Sequence, residues 1–293
     1  MSRLDLAARA GELRAKRVPF VIATVLRAEA PTSAKPGDSA VVLADGSIEG
    51  FVGGSCAQAT VRAESLRSLA ERRPRMVLIA PDAEAAPAAD GVIRVSNPCL
   101  SGGTLEMFLE PTLPAPLVRV YGSSPIAAAL RDGAAALGFD AVEGRPGEPI
   151  AEETVAVVVA THGFDEEAVI AEALRAGIAY IGLVASRKRA AGVLGAMELG
   201  DGERGRIHSP AGLDIGASSP GEIAVSILAE IVSLRPRSDT PPAPEVAVDP
   251  VCQMEVAAVE SSLKSEFEGR TYYFCARGCL KAFSADPMAY LGG

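Results

Sequence analysis

Residues 117–199 alternate short apolar segments with amphipathic ones, and this alternation restricts the possible folds more than any other feature of the chain. The apolar segments predict strands, and the amphipathic segments predict helices of ordinary length. Strands that alternate with helices form a parallel sheet with helices on both faces. The predicted strands cover residues 117–121, 141–143, 155–160 and 179–184, and the predicted helices cover residues 125–137, 165–176 and 187–199.

The residues before this region show a mixed pattern. A β-branched run over residues 18–27 predicts a strand, and Asp45-Gly46 between two apolar runs predicts a tight hairpin. A helix over residues 57–73 and three further strands complete a predicted domain over residues 1–112. Prolines then mark the boundary with the second domain, residues 116–235. The last helix of that domain is predicted to begin with a capping box and a proline at its first position.

The C-terminal part is set apart by the proline-rich residues 236–247, which predict a semi-rigid linker. Residues 248–293 follow as an independent module that is too small to hold a core unaided, which predicts a bound metal ion. The expected fold class is α/β, with a mixed α+β N-terminal domain, a Rossmann-like parallel-sheet second domain and a small C-terminal cysteine metal module.

Charge and cysteine content exclude several classes of protein. The formal net charge of −9 argues against general binding to nucleic acid or to an anionic membrane. No apolar run approaches the roughly 20 residues of a membrane span, and the first residues predict an amphipathic helix rather than a signal peptide. Five cysteines are too few and too unevenly placed for a secreted disulfide framework, so we expect reduced thiols in the cytoplasm.

Three of the five cysteines lie close together in the C-terminal module: Cys252, Cys275 and Cys279. The last two are spaced i, i+4, which places them on one face of a helix. Soft sulfur ligands favour Zn(II) or Cu(I). This segment contains no histidine, so a three-thiolate site with an open position would suit metal transfer or sensing better than permanent structure. The alternative is that the thiols pack in a small core without a metal.

A second cysteine motif lies in the first domain. In Gly53-Gly54-Ser55-Cys56, two glycines let the backbone approach a ligand, and the helix that follows points its free N–H groups at an anion. A helix N-terminus also favours the thiolate form of a cysteine. Cys56 is therefore either a reactive thiolate or an inert cysteine at a tight turn.

The fifth cysteine, Cys99, precedes Gly102 and Gly103 in another glycine-rich segment, which predicts a shaped loop before a strand. A ligand-binding loop and a purely structural one are equally compatible with this pattern.

Three consecutive cations, Arg187, Lys188 and Arg189, follow Ser186, a predicted helix N-cap. Cations in a first helical turn oppose the helix dipole, each by about 0.3–1 kcal/mol. A bound anion would offset this unfavourable interaction with the helix dipole. The alternative is that the three cations are simply solvated at the surface.

Three further polar residues lie in or beside predicted loops. His162 lies at the carboxyl edge of the predicted sheet, where such folds bind ligands, although a packed histidine is the alternative. Asp214 lies between two glycines and would contact a ligand hydroxyl or cap its own loop. We expect His208 to be a hydrogen-bonding core residue. Gly122 is the one glycine that the chain retains of the dinucleotide-binding fingerprint G-x-G-x-x-G. The pattern therefore predicts a Rossmann-like fold more strongly than an NAD(P) site.

The C-terminal module resembles the YHS domain, which implies a metal-linked module. The resemblance rests on residues 249–252, Gly269, residues 272–275, Cys279 and residues 290–291. The two preceding domains resemble the xanthine dehydrogenase accessory family, XdhC/CoxI, over about residues 15–235. That resemblance rests on residues 53–56, Cys99 with residues 102–106, residues 161–163, 180–189, 210–217 and 222–230.

The resemblance to XdhC/CoxI implies an accessory factor rather than an enzyme with turnover. Members bind the molybdenum cofactor, which is molybdopterin or its cytosine dinucleotide, support its sulfuration and pass it to a molybdenum hydroxylase. The implied client resembles xanthine dehydrogenase or aerobic carbon monoxide dehydrogenase, and a cysteine desulfurase is a further implied partner. We also expect a homodimer.

In this interpretation a cleft between the two domains holds the pterin. Its phosphates are bound by the glycine-rich loops and by Arg187, Lys188 and Arg189. Cys56 or Cys99 lies beside the metal. Two other interpretations remain: an NAD(P)-dependent oxidoreductase, and a copper or zinc delivery protein whose function resides in the C-terminal module.

Overall fold

The computed structural model describes residues 3–83, 91–97, 103–234 and 245–291, which fall into two compact units. The first unit contains the described residues up to Pro114 together with the C-terminal residues 245–291. The second unit contains residues 115–234.

The N-terminal part of the first unit is built on a six-stranded mixed sheet in the order β3-β2-β1-β6-β4-β5. All its neighbouring strands are antiparallel except β4 and β5, which are parallel. Val61, Leu66 and Leu69 of α2 are buried against this sheet. The elements are α1 (Arg3–Ala15), β1 (Phe20–Glu29), β2 (Ser39–Leu43), β3 (Ile48–Gly50), α2 (Ser55–Glu71), β4 (Arg75–Ala80), β5 (Val92–Ser96) and β6 (Thr104–Thr112).

The predicted hairpin at Asp45-Gly46 is confirmed. Strands β2 and β3 pair antiparallel, with Val42 opposite Ile48, and Gly46 has a φ of 79° that suits glycine in a tight turn.

The C-terminal segment contains two short antiparallel pairs, β12 with β13 and β14 with β15, followed by two helices. Phe283 of α8 is buried among the rings of Phe267, Tyr272 and Phe274. The elements are β12 (Val246–Val248), β13 (Glu255–Ala257), β14 (Leu263–Phe267), β15 (Arg270–Phe274), α8 (Arg277–Ala285) and α9 (Met288–Leu291).

This segment packs on the first domain, which corrects the expectation of an independent module. Ala257 joins the core of the six-stranded sheet, and Val256 packs with Ala59 of α2. Two polar contacts accompany this burial: the Ser261 hydroxyl donates to the Asp45 carbonyl at 2.8 Å, and Arg67 pairs with Glu255 at 2.6 Å. The physical reason is that a segment this small buries apolar surface more fully against a neighbouring domain than alone.

The second unit is the predicted α/β domain, with a five-stranded parallel sheet in the order β11-β10-β9-β7-β8. One face of the sheet packs against α3 and α7, and the other packs against α4 and α5. The elements are β7 (Leu117–Tyr121), α3 (Pro125–Ala134), β8 (Asp140–Gly144), β9 (Thr154–Val159), α4 (Glu166–Arg175), β10 (Tyr180–Leu183), α5 (Arg187–Gly195), α6 (Asp201–Arg204), β11 (Ile207–His208) and α7 (Pro220–Leu234).

The capping box of α7 is confirmed, since the Glu222 N–H donates to the Ser219 hydroxyl and the Ser219 N–H donates to the Glu222 carboxylate. The predicted helix over residues 187–199 is shorter in the structure and ends at Gly195. In addition, α6 and β11 were not predicted, because four and two residues are too short to show a periodicity.

Among the residues described, no helix combines the length and the apolar composition that crossing a membrane requires.

Candidate functional sites

The second unit contains a cavity of about 620 Å³ beyond the carboxyl ends of β9, β10 and β11. This is the edge at which parallel α/β sheets bind ligands. Its polar lining includes His162, Ser186, Arg187, Arg189 and Asp214. The remaining lining residues are Val184, Ala185, residues 210–213, residues 215–217, Ile223 and Ser226.

The local backbone places these side chains at the cavity. His162 lies in the turn after β9 with a φ of 56°, in the left-handed region that few non-glycine residues adopt. Ser186 is the N-cap of α5, and its hydroxyl accepts a hydrogen bond from the Arg189 N–H at 3.3 Å. The predicted N-cap is therefore confirmed, and two of the three predicted cations reach the cavity.

Glu166, the first residue of α4, organises one side of the cavity. Its buried carboxylate pairs with Arg189 and accepts a hydrogen bond from the Gly163 N–H at 2.9 Å. The charge of Arg189 is therefore partly compensated, whereas Arg187 is exposed and lines the cavity. The sequence pattern showed Glu166 only as an ordinary acidic residue at a helix start, so its role at this site was missed.

Glu230 of α7 holds the loop over residues 210–217. Its carboxylate accepts hydrogen bonds from the Gly212 N–H at 2.7 Å and from the Tyr180 hydroxyl at 2.6 Å. Burial, followed by the Glu230 hydrogen bond, raises the pKa of Tyr180. His208 stacks on Tyr180 with ring centroids 4.6 Å apart and lies 3.5 Å from Glu230. His208 is thus packed on Tyr180 as expected, but it is half-buried rather than a core residue, and its approach to Glu230 is an ion-pair distance rather than a hydrogen bond.

Two predicted residues of the second unit do not line the cavity. Lys188 is exposed and is not among the lining residues. Gly122 has a φ of 109°, and a Cβ there would lie 2.4 Å from the Ala160 carbonyl oxygen. The glycine is therefore explained by close packing of the chain rather than by a ligand.

The nearby helix start also differs from a dinucleotide-binding loop. The Ser124 hydroxyl caps α3 by accepting a hydrogen bond from the Ala127 N–H at 3.1 Å. One of the N–H groups that would bind a pyrophosphate is thereby already satisfied.

Asp214 lines the cavity with an exposed side chain. Within the part of the chain that the structure describes, its carboxylate accepts no hydrogen bond, so the alternative that it caps its own loop finds no support.

In the first unit, α2 begins at Ser55, so Cys56 is its second residue. Gly54 is the N-cap, and Gly53 has a φ of 123°. Gly103 is required by close packing, because a Cβ there would lie 2.3 Å from the Pro31 carbonyl oxygen. Cys99 and Gly102 lie outside the described residues.

The three cysteines of the C-terminal segment converge as predicted, but Cys275 lies in the bend before α8 rather than on one helix face with Cys279. The Sγ atoms of Cys252 and Cys275 lie 3.5 Å apart, and those of Cys275 and Cys279 lie 3.7 Å apart. Together with a carboxylate oxygen of Asp249, all their ligand atoms lie within 4.8 Å of one another.

Asp249 fixes the turn that carries Cys252. The Asp249 side chain is fully buried, and its two oxygens accept hydrogen bonds from the Val251 N–H at 2.9 Å and the Cys275 N–H at 2.8 Å. It therefore orients two of the three thiols.

The thiols interact strongly. A hydrogen bond from Cys275 lowers the pKa of Cys252, and the hydrogen bond to Cys252 is the first cause that raises the pKa of Cys275. Burial, followed by the charge of Asp249, raises the pKa of Cys279 to about 12. Without a cation, the thiols would therefore share protons rather than ionise together, and a bound metal would replace these protons.

Cys56 packs near this group, which sequence analysis did not foresee. It lies against the buried cluster of Ala59, Met254, Val256 and Cys275. No local pattern indicates this contact, because the two segments are far apart in the sequence.

Three family models match the chain in succession. The model described as "XdhC and CoxI family" matches residues 13–79, the model described as "XdhC Rossmann domain" matches residues 118–231, and the model described as "YHS domain" matches residues 247–293.

Two curated proteins are similar to the chain. "Uncharacterized protein YqeB" of Escherichia coli K12 is 30% identical over 263 residues, which are 79% of this chain and 46% of the relative. A Bacillus subtilis protein, named as a probable xanthine dehydrogenase component, is 31% identical over 160 residues, which are 46% of this chain and 47% of the relative. The chain thus spans about half the length of these relatives.

The crystal structure of a protein described as a xanthine dehydrogenase from Bacillus halodurans covers 82% of this chain and 98% of its own, at 18% identity and a TM-score of 0.40. On the three consecutive matches, the chain belongs to the XdhC and CoxI family and carries a YHS domain over residues 247–293.

Proposed function

We propose that this protein is an accessory factor that binds a phosphate-bearing molybdenum cofactor and passes it to a molybdenum hydroxylase. The observation that carries the proposal is the cavity at the carboxyl edge of the parallel sheet, with Arg187, Arg189 and His162 in its lining. The family membership and the name of the Bacillus subtilis relative support a role connected with xanthine dehydrogenase.

The residues present fit such a group. A volume of about 620 Å³ lies within the range of small-molecule sites. At the start of α5 the Ser186 hydroxyl occupies the Arg189 N–H, so the Arg187 guanidinium, together with the N–H groups that the cap leaves free, would favour a phosphate. Arg187 would hold the phosphate, the His162 ring would donate or accept a hydrogen bond, and Asp214 would accept from a pterin N–H. When bound, the cofactor supplies the metal and its dithiolene sulfurs, and the chain itself binds, orients and shields it.

Equilibrium dialysis with molybdopterin and with its cytosine dinucleotide tests the proposal. The bound pterin is measured after oxidation to a fluorescent form, since the chain contains no tryptophan to report binding. Arg187→Ala should weaken binding about tenfold, which corresponds to about 1.4 kcal/mol for one charged contact. Lys188→Ala is the matched control, because this neighbouring cation does not line the cavity.

Equal losses in the two variants, or no binding by the wild-type protein at micromolar concentrations, would refute the proposal. NADH in excess serves as a competitor: displacement of the pterin by NADH would favour an NAD(P)-dependent oxidoreductase instead.

We also propose that Cys252, Cys275 and Cys279 hold a soft metal ion, Zn(II) or Cu(I). Their Sγ atoms are close enough to share one ion, and thiolates are the ligands that such ions prefer. Metal analysis of the purified full chain should give one ion per chain. The Cys252→Ser, Cys275→Ser, Cys279→Ser triple variant should contain none.

The client in this proposal is a hydroxylase of the xanthine dehydrogenase or aerobic carbon monoxide dehydrogenase kind. A role in sulfuration would require a cysteine desulfurase as a second partner. Purification of the chain with each tagged enzyme, followed by gel filtration, tests both partners and the expected homodimer.

A further inference from the structure

The turn that carries Cys252 also carries a buried carboxylate. Asp249 is fully buried, and one of its carboxylate oxygens lies within 4.8 Å of the Sγ atoms of Cys252, Cys275 and Cys279. We infer that Asp249 is the fourth ligand of the metal site, which is thereby a closed tetrahedral site for Zn(II). This inference rests on the three-thiolate metal site proposed above and goes beyond it by naming the fourth ligand and the ion.

The spacing of the four residues is that of a structural zinc site. Such sites commonly draw their ligands from two short segments, with roughly two to four residues between the two ligands of each segment. Two residues separate Asp249 from Cys252, and three separate Cys275 from Cys279. Asp249 therefore takes the position that the first cysteine has in a C-x-x-C pair.

The distances fit a tetrahedron. With Zn–S bonds of about 2.3 Å and a Zn–O bond of about 2.0 Å, the sulfur atoms lie about 3.8 Å from one another and the oxygen lies about 3.5 Å from each sulfur. The Sγ–Sγ distances are 3.5 Å from Cys252 to Cys275 and 3.7 Å from Cys275 to Cys279. All four ligand atoms lie within 4.8 Å of one another, so a small contraction would bring them onto one ion.

The charge of Asp249 also requires a cation. A carboxylate removed from water is costly unless it pairs with a cation or coordinates a metal. In the part of the chain that the structure describes, Asp249 accepts hydrogen bonds from the N–H groups of Val251 and Cys275, and no arginine, lysine or histidine pairs with it. A zinc ion would supply the missing positive charge.

The hydrogen bonds to Asp249 leave room for a metal. A carboxylate oxygen has about two acceptor positions, and each oxygen of Asp249 uses one for a backbone N–H. Ligating carboxylates are themselves hydrogen-bonded in this way, which fixes their orientation. The turn is also closed by the backbone, since the Asp249 N–H donates to the Met254 carbonyl at 2.9 Å and the Gln253 N–H donates to the Asp249 carbonyl at 2.8 Å. Asp249 and Cys252 are thus held in place before a metal binds.

A carboxylate ligand discriminates between the two candidate ions. Zn(II) accepts an aspartate oxygen in a tetrahedral site, whereas Cu(I) is selected by soft thiolate and thioether ligands. A site with four protein ligands has no open position, so it favours permanent structure over metal transfer. The C-terminal segment would therefore retain its zinc, in contrast to the open site that three thiolates alone would form.

The test measures the zinc affinity of the full chain by competition with a chromophoric chelator and the visible spectrum of the Co(II)-substituted protein. Asp249→Asn should weaken zinc binding about 100-fold, because the amide oxygen is a weaker ligand. Asp249→Cys should restore the affinity and raise the thiolate-to-Co(II) charge-transfer absorbance per bound ion by about a third, from three thiolates to four. A residue that only orients the turn would not be rescued in this way, because a thiol is a weak acceptor for backbone N–H groups.

Added azide reports whether the metal has an open position. It should leave the Co(II) spectrum of the wild-type protein unchanged and should alter that of Asp249→Asn, in which water replaces the carboxylate. Cys56→Ser is the matched control, because Cys56 packs near the cluster but its sulfur is not among the four converging ligand atoms of the described residues. This variant should retain the wild-type affinity and spectrum.

An azide-sensitive wild-type spectrum, or an Asp249→Cys variant that binds zinc as weakly as Asp249→Asn, would overturn Asp249 as a ligand and leave the three-thiolate site intact. A loss in Cys56→Ser equal to that in Asp249→Asn would overturn it by assigning the fourth position to Cys56. Absence of metal binding by the wild-type chain would overturn both this inference and the proposed metal module. Far-ultraviolet circular dichroism of each variant separates loss of a ligand from loss of folding.

Discussion

At the scale of single residues, Glu166 shows how one buried carboxylate sets both the stability and the charge of the cavity. It neutralises part of the Arg189 charge and ties the turn after β9 to the start of α4 through the Gly163 N–H. Its second oxygen and the Nε of Arg189 are buried without a partner among the described residues. The same contacts that stabilise the loop therefore lower the attraction of the cavity for an anion.

Because Glu166 stabilises the loop but weakens the attraction of the cavity for an anion, its replacement by glutamine should change the two properties in opposite directions. The substitution keeps a hydrogen-bond acceptor but removes the charge paired with Arg189, so the free energy of unfolding should fall by about 1–3 kcal/mol. The affinity for molybdopterin should rise several-fold, because Arg189 becomes available to the phosphate. Urea unfolding and equilibrium dialysis measure the two effects.

Glu167→Gln is the matched control, since Glu167 is the exposed neighbour in the same helical turn. If Glu166→Gln weakens pterin binding as Arg187→Ala does, then Glu166 shapes the cavity rather than compensating its charge.

The residues of the cavity were predictable to the extent that topology determines them. His162 and Ser186 follow parallel strands whose carboxyl ends meet at one edge, so their convergence follows from the strand pattern. The direction of each side chain at the start of α5 decides which of the three consecutive cations reach the cavity. The sequence alone does not show that Lys188 lies outside the lining.

At the scale of secondary-structure elements, α7 supports one wall of the cavity. Ile223 and Ser226 line it, and Glu230 of the same helix holds the loop over residues 210–217. The start of this helix depends on Glu222, whose carboxylate accepts hydrogen bonds from the N–H groups of Ser218 and Ser219. These hydrogen bonds lower the pKa of Glu222 from 4.5 to about 2.

The lowered pKa predicts a pH-dependent effect of Glu222→Gln. Because the folded-state pKa is below the unfolded one, the stabilisation by Glu222 is present in full above the unfolded value. It is lost as pH falls through the folded value. The wild-type protein should therefore exceed Glu222→Gln in urea midpoint at about pH 7, and the difference should shrink towards about pH 3.

Glu152→Gln, at an exposed turn position, controls for the general effect of removing one acidic group. A difference between wild type and Glu222→Gln that stays constant over this pH range would contradict the assigned role of the carboxylate.

Strong local patterns explain why most elements were predicted correctly. The parallel strands are continuous apolar runs, and the hairpin and the α7 capping box have specific turn and cap residues. By contrast, β11 contains two residues and pairs with β10 only after the chain has passed through α5 and α6. Its position depends on tertiary packing that no local pattern records.

At the scale of the whole molecule, the feature that sequence analysis could not provide is the packing of the C-terminal segment on α2. Periodicity and spacing describe neighbours along the chain, whereas Cys56 and Cys275 are separated by most of the sequence and meet through the burial of Ala59 and Val256. Sequence analysis therefore grouped the three cysteines of the segment but did not show that Cys56 packs near them.

The placement of the two candidate sites in different compact units predicts that their ligands act separately. A ligand that binds only the folded state stabilises the part of the structure that holds it. In hydrogen-exchange mass spectrometry, zinc should slow exchange over residues 249–279. Molybdopterin should slow exchange over residues 161–163, 185–189 and 210–217.

Each ligand should leave the other set of amides unchanged, and the Cys252→Ser, Cys275→Ser, Cys279→Ser triple variant should abolish the zinc effect while the molybdopterin effect persists. If zinc instead protects the cavity loops, or molybdopterin protects residues 249–279, the two sites are energetically coupled. The molecule would then have to be treated as one cooperative binding unit rather than as a cofactor site and a separate thiol site.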